Sequence, residues 1–479
     1  MRKKHGCILM LSLVVCLMAG TLIRYQRHSF EERFDVPETA ADTEKAGEGE
    51  QTADTGEGGQ RTDGAGEAVD AEKNDETESE SGKTADSDKV SEAQERAGMP
   101  IRVLLCSDSF ESYYHQSETV EFQADYACLT PEGETVACPA GTSMGFGDDS
   151  EGTWIFTPVR ENGGFCLPDL VRGYEDPVYL GSLEIRCAPE GLLLINILDV
   201  ETYLGNVVPS EMPAGYPAEA LKAQAVCART YAYAHLESGR LEEFEADVDD
   251  SVQFQVYNNQ PRDERTSQAV ADTAGLVLKK DGELADARYY STSCGLELTG
   301  DLSEEAVFAA FITASREDDY EREEPWYRWS TYFSMEELSG MADTAGLAVG
   351  ELESIQVEAR EESGRAETLL VKGTKGEARI EGEYEIRSFL EPAKTPVTLQ
   401  DGETAPKLGM LPSAFFYLAE DGGKEEQKGY FVYGGGYGHG IGMSQNGAKN
   451  MAEAGKNFQE ILAYYYDEVE LDAETDTDH

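Results

Sequence analysis

Two short segments of the chain hold residues whose types and spacing could do chemistry. In the first, Val207 to Pro217, Glu211 stands between Pro209-Ser210 and Met212-Pro213, one carboxylate among apolar residues and prolines. Such a group can give and take a proton. Apolar neighbours raise its proton affinity by desolvation and a nearby helix N-terminus lowers it, so spacing alone leaves the direction open. The plainer reading is that Ser210-Glu211 caps a turn. The second segment, Gly434 to Gly447, sets His439, Ser444 and Gln445 among closely spaced glycines. Glycine lets a backbone take positive φ and approach a ligand or a strand closely. The plainer reading here is a tight hairpin with a hydrogen-bonded histidine. H-E-x-x-H and a Walker loop are absent, so zinc-protease and nucleotide-hydrolysis readings lack their parts.

The elements that must position these residues can be read in outline. A helix is expected from Pro217 to His235, with proline in its first turn, strong helix formers throughout, and Leu221, Ala225, Ala228 and Ala232 as a narrow small-residue stripe. Glu211 is then expected in a stiff loop leading into that helix. A second helix is expected over Gly447 to Tyr466, weakened by Gly455. Strand signals occur at Ile101–Leu105, Thr119–Phe122, Trp154–Phe156, Tyr179–Leu180, Leu183–Ile185 and Leu192–Ile195, and again at Ile355–Glu358, Thr368–Val371 and Ala378–Ile380. The fold class is α+β, a β-rich N-terminal part joined to a mixed α/β core.

Ahead of that core, residues 6–23 form an apolar run that at about 1.5 Å per residue spans most of a bilayer's hydrocarbon. Arg2, Lys3 and Lys4 favour a cytoplasmic N-terminus and an extracytoplasmic remainder, a single-pass signal anchor over residues 1–28. Residues 29–98 are rich in Glu, Asp, Gly, Thr and Ser and too poor in apolar side chains to fold. They are expected to be a disordered tether, its 60 most biased residues spanning roughly 40–50 Å as a coil. The folded domain is placed at 99–472, with an acidic tail at 473–479. The whole chain carries 39 Lys and Arg against 94 Asp and Glu, a net charge of −55, which excludes a nucleic-acid partner. Seven cysteines lie outside the apolar run, read as buried thiols or as two bridges plus free thiols.

Longer strings carry a resemblance. Pro209-Ser210-Glu211-Met212-Pro213, followed by Ala220-Leu221-Lys222-Ala223-Gln224-Ala225 and Ala228-Arg229-Thr230-Tyr231, resembles the stage II sporulation protein D family. So do Gly438-His439-Gly440-Ile441-Gly442-Met443-Ser444-Gln445 and the closing Ile461 to Tyr466, with weaker similarity at Tyr290 to Gly295 and Pro325 to Ser330. The resemblance implies a lytic transglycosylase acting on peptidoglycan glycan strands stripped of stem peptides during engulfment in sporulation. It implies Glu211 as the catalytic acid/base, with Lys222 and Arg229 at positions tied to activity or substrate contact and His439, Ser444 and Gln445 as substrate-binding residues. A lytic enzyme needs one carboxyl group, because the sugar's own C6 hydroxyl replaces water; an ordinary glycosidase needs two. Wider relatives enhance a wall amidase instead, so the alternative is a non-catalytic, wall-binding enhancer, with an amidase and other engulfment proteins as partners. Tyr290 stands where the family commonly has histidine and Asn446 where it has tyrosine. Some relatives bind zinc near Cys294, which here lacks companion ligands, so no metal and no cofactor is expected.

Overall fold

The computed structural model describes residues 99–473 apart from 109, 161–162, 174–176, 237, 297, 299, 301, 314–318 and 422–427. The expected membrane span, the tether and the tail after 473 lie outside the described residues. No helix among the described residues is long and apolar enough to cross a membrane.

Residues 100–199 form ten strands: β1 Pro100–Leu104, β2 Glu118–Phe122, β3 Tyr126–Leu129, β4 Thr135–Cys138, β5 Ser143–Phe146, β6 Thr153–Pro158, β7 Gly164–Cys166, β8 Val178–Leu180, β9 Ser182–Ala188 and β10 Gly191–Asp199. They divide between a four-stranded sheet, β5-β2-β7-β8, and a seven-stranded one ending in a later short strand. β10 is central and antiparallel to β9, with Leu194 opposite Ile185. Its run Leu192 to Ile195 is buried on both faces, which is why it reads as continuous hydrophobe rather than as an alternation.

β10 passes straight into helix α1, Val200–Glu211, because Asp199 accepts from the Thr202 N–H at 2.8 Å and caps it. Helix α2 follows at Ala218–Leu236, as expected from the sequence, but more than the stripe is buried: Gln224, Val226, Arg229 and Tyr233 join Leu221 and the alanines in the interior. A helix buried on most sides is a central element. One side packs into the core of the N-terminal sheets, and the other into a second core with Met443, Met451, Ile461 and Leu462. β11 (Val248–Asp249) completes the large sheet in parallel with β1. After it come α3 Glu264–Asp272, β12 Leu276–Lys280, β13 Glu283–Leu284 and β14 Tyr289–Tyr290.

A third core, around Trp329, Phe333, Leu369, Phe416 and Val432, belongs to residues 329–432. It contains β15 Trp329–Ser334, β16 Leu352–Arg360, β17 Ala366–Gly373, β18 Gly376–Glu381, β19 Thr398–Leu399, β20 Phe416–Glu420 and β21 Gly429–Gly434. Helix α4, Glu304–Thr313, precedes them; α5 Met335–Thr344 and α6 Glu383–Phe389 lie among them. The three strands read from sequence here fall within β16, β17 and β18.

The chain then returns: β22 Met443–Ser444 pairs in parallel with β14, Tyr289 opposite Met443 and Tyr290 opposite Ser444. The single helix expected over 447–466 is two, α7 Gln445–Glu453 and α8 Phe458–Tyr465, followed by β23 Glu470–Ala473. Gly455, at φ +90°, ends the first, and Asn457 caps the second by accepting from Glu460 N at 2.9 Å. The fold is mixed α+β. All seven described cysteines are free thiols, buried except for the half-buried Cys187.

Candidate active site

Glu211 is not in a loop. It is the last residue of α1, a helix that contains Pro209. Proline normally breaks a helix interior by removing an N–H and crowding the carbonyl four residues back. Neighbouring bonds hold this turn. Ser210 Oγ donates to the Asn206 carbonyl at 2.6 Å and accepts from the N–H groups of Asn259 and Gln260 at 3.0 and 3.1 Å. The Asn206 amide binds Asn258 Oδ1 at 2.6 Å and Arg262 Nε at 2.7 Å. The C-terminal half of α1 is thereby fastened to residues 258–262, and the same strand of chain delivers the Val256 N–H to Glu211 Oε1 at 2.7 Å.

A second donor reaches the same carboxylate, the Tyr289 hydroxyl. Its direction follows from the network behind it. Gln255, buried, accepts from Tyr203 OH through Oε1 at 3.3 Å. Its Nε2 donates to the Ala228 carbonyl at 3.2 Å and to Tyr289 OH at 2.9 Å. With an amide already donating to it, the tyrosine oxygen has its one proton left for Glu211. Burial nonetheless wins: it lifts the Glu211 carboxyl to about 7, against the opposing Val256 and Tyr289 bonds. A position at the C-terminal end of α1 acts in the same sense, since that end of a helix disfavours an anion. The question the sequence left open is answered by desolvation. Among the described residues, no other charged group contributes to this shift.

The glycine-rich segment meets this site from the other side. Gln445 Nε2 donates to the Glu211 carbonyl at 3.1 Å and to Gln224 Oε1 at 3.4 Å, joining residues 234 apart in sequence. His439 Nε2 donates to the Tyr289 carbonyl at 3.0 Å while Nδ1 accepts from Ile441 N at 3.1 Å. Burial holds this histidine neutral, its pKa lowered to about 4. It therefore sets the main chain of the tyrosine that grips Glu211. The close approach expected of the glycines is made to a strand: a Cβ at Gly442, which has φ +78°, would lie 1.9 Å from the Arg288 carbonyl. Ser444, fully buried, caps α7 by accepting from Gly447 N at 3.2 Å and also accepts from Ser293 N at 3.3 Å. Asn446 is interior as well, accepting from Tyr216 OH at 2.6 Å and donating to Thr292 Oγ1 at 2.9 Å.

Lys222 and Arg229 do not face the carboxyl. Lys222 Nζ lies 3.1 Å from Glu219 and 3.2 Å from Asp272. Glu219, the one other carboxylate near the motif in sequence, is spent on that lysine and on Phe458 N at 2.8 Å. Arg229 is fully buried, bidentate to Glu201 at 2.6 and 2.7 Å, with its remaining donors on the carbonyls of Val270 and Leu276. Gly141-Thr142-Ser143-Met144-Gly145 spells the G-x-S-x-G of a nucleophile elbow, but Ser143 is exposed on edge strand β5 and the next element is a strand, not a helix. A groove of about 760 Å³ lined by Met341, Leu347, Ile380 and Phe389 belongs to the third core and includes none of the residues around Glu211. Among the described residues no three His, Cys, Asp or Glu side chains are grouped to hold a metal.

Sequence reasoning missed Gln255, Val256 and Tyr289. The signal available was Gln253-Phe254-Gln255-Val256-Tyr257, polar and apolar residues alternating like a strand in a stretch that forms none.

Residues 189–279 match the family described as stage II sporulation protein. The match is to this one segment of the chain. It contains Glu211, Lys222, Arg229 and Gln255, while Tyr289 and His439 fall in residues 268–442, which match a domain of unknown function. The chain is 29% identical over 294 residues to an uncharacterized protein of Brachyspira hyodysenteriae, covering 61% of this chain and 72% of that one. It is 29% identical over 291 residues to stage II sporulation protein D of Bacillus amyloliquefaciens (57% and 74%). It is 28% identical over 292 residues to the amidase enhancer of Bacillus subtilis (55% and 39%), so it spans well under half of that relative.

The Tyr289 bond works against burial, so its loss has a defined sign. Tyr289→Phe raises the proton affinity of Glu211 by about tenfold, the worth of a hydrogen bond to a charged group. Carboxyl ¹³C titration, with the signal assigned by its absence in Glu211→Gln, reads this directly; an unmoved midpoint contradicts the network.

Proposed function

We propose that the protein is a lytic transglycosylase that cuts peptidoglycan glycan strands stripped of stem peptides, leaving 1,6-anhydro-muramyl ends. The observation that carries this reading is the Glu211 carboxyl, held near 7 and oriented by two donors with no second carboxylate among the described residues acting on it. A group half-protonated at neutral pH can serve as acid and then as base. Protonated, it gives its proton to the glycosidic oxygen as the C1–O bond breaks. As carboxylate, it takes the proton of the C6 hydroxyl while that oxygen bonds to C1. The proton returns to the enzyme and no water is consumed. Retaining and inverting glycosidases both require a partner carboxyl within about 5–10 Å, and Glu219 is engaged elsewhere.

Gln445 and His439 set Glu211 through its carbonyl and through Tyr289, and Ser444 caps the helix that carries Gln445. Lys222, partly exposed, is the carried-over cation open to substrate, and Arg229 acts by positioning α1 against α2. The reading assigns this activity to wall degradation during engulfment, and the likeness to relatives named for stage II sporulation supports it. The proposal includes a single-pass anchor at residues 6–23 with the catalytic domain outside, a reading that the apolar composition of that run supports. Mass spectrometry of denuded glycan after incubation with the full chain tests the reading: anhydro ends support it, and reducing ends or intact strands refute it.

The likeness to an amidase enhancer motivates a second reading, a wall-binding protein that stimulates an amidase without cutting glycan. Stimulation of a wall amidase that survives Glu211→Gln, with no anhydro product from the wild type, would select it.

A further inference from the structure

We propose that Tyr231, His235, Phe254 and Arg240 form a subsite beside Glu211 for a pyranose bearing a free carboxylate, the unsubstituted lactyl group of a muramyl residue. The inference rests on the glycan-cleaving reading and names what selects the strand. Tyr231 and His235 are one turn apart on α2 and stack, centroids 4.0 Å apart at 25°. Phe254 stands edge-on to His235 at 5.3 Å and 77°. The Arg240 guanidinium lies 4.7 Å over the Phe254 ring. The half-buried Tyr231 and His235 rings offer a sugar's C–H face a flat apolar surface at small entropy cost, while buried Phe254 backs the exposed Arg240, and an arginine seated on a ring is held ready for a planar anion.

Position ties this shelf to the chemistry. Phe254 is two residues before Val256, whose N–H holds Glu211. Tyr231 lies within electrostatic reach of Glu211, Arg240 and Arg288 alike.

Charge is the second observation. In a chain with 94 acidic and 39 basic residues, many arginines find carboxylates: Arg172 has Asp250, Arg229 has Glu201 and Arg288 has Asp286, while buried Arg328 is spent on the carbonyls of Phe311, Cys294 and Tyr327. Arg240 is exposed and pairs with no carboxylate among the described residues. The nearby Asp249 is spent on Tyr113 OH at 2.9 Å and Ser251 N at 2.8 Å. His235, whose Nδ1 meets the Tyr231 carbonyl at 2.8 Å, is kept from charging by burial and adds no competing cation. A stem peptide converts the lactyl carboxylate to an amide and removes the anion, so Arg240 would tell a stripped strand from a substituted one.

The test uses the full chain carrying Glu211→Gln, in which turnover is expected to be too slow to disturb the titration. Calorimetry compares a tetrasaccharide of alternating N-acetylglucosamine and N-acetylmuramic acid with the same compound amidated at its lactyl groups. The free acid is expected to bind about tenfold tighter, the worth of one charge-assisted contact. Adding Arg240→Gln should erase that preference and leave the amidated compound's affinity unchanged. Equal binding of the two compounds, equal weakening by Arg240→Gln, or no binding of either overturns the subsite. Selective binding without anhydro products from the wild type would instead keep the subsite and refute the cleavage reading.

Discussion

Glu211→Gln in the full chain is expected to lower the yield of anhydro-muramyl ends by about 10²–10⁴-fold, the usual worth of a general acid/base. The same variant should be no less stable at pH 8. The folded-state carboxyl sits at about 7 and its ordinary value is 4.5. A carboxyl raised on folding contributes stability that is complete below its unfolded value and is lost as pH rises through the folded one. Above pH 7 the wild type holds a desolvated anion, and glutamine has no charge to desolvate. The thermal midpoint of the variant should therefore equal or exceed that of the wild type at pH 8. At pH 5, where Glu211 is protonated when folded, the difference should shrink or reverse. Activity lost together with a large fall in the pH 8 midpoint would mean that Glu211 serves the fold.

Arg229→Ala should act in the opposite way, destabilising by about 3–5 kcal/mol, because it strands a carboxylate in the interior. Glu201, 14% exposed, would lose both guanidinium bonds, and the α3–β12 turn would lose donors to the Val270 and Leu276 carbonyls. With a urea dependence of about 1–3 kcal/mol per molar, the midpoint falls by 1 M or more. Adding Glu201→Gln should recover part of that loss by removing the stranded charge. An unchanged midpoint with weakened glycan binding would make Arg229 a substrate contact, the role implied by the family resemblance.

The Arg229 prediction also marks where the sequence stopped being informative. Helix α2 was legible because proline at the start, strong formers throughout and an alanine stripe all report local preference. Its centrality was not, since Gln224 and Arg229 look like surface residues until Gln445 and Glu201 are placed against them. Pro209 argued for a loop, and tertiary bonds through Ser210 and Asn206 overrode it. Strands β1, β2, β6, β8, β9 and β10 and β16 to β18 were readable from apolar runs, whereas the short β3, β4, β5 and β7 were not. β14 and β22 were not, because two-residue strands exist only as a pair. At the site, Glu211 and Gln445 stood out through their motifs. Tyr289 and Gln255 become functional only through long-range bonds that no local pattern encodes.

That β14–β22 pair closes a loop of more than 150 residues around a core with its own sheets. A ribosome making this chain delivers Glu211 early and Gln445 some 234 residues later. Closing so long a loop is entropically late as well as synthetically late. A nascent or truncated chain ending before residue 445 thus has the glutamate without its main-chain clamp. Under the proposed glycan-cleaving role, synthesis itself becomes a safety catch, arming Glu211 only once residue 445 has been made and folded into place.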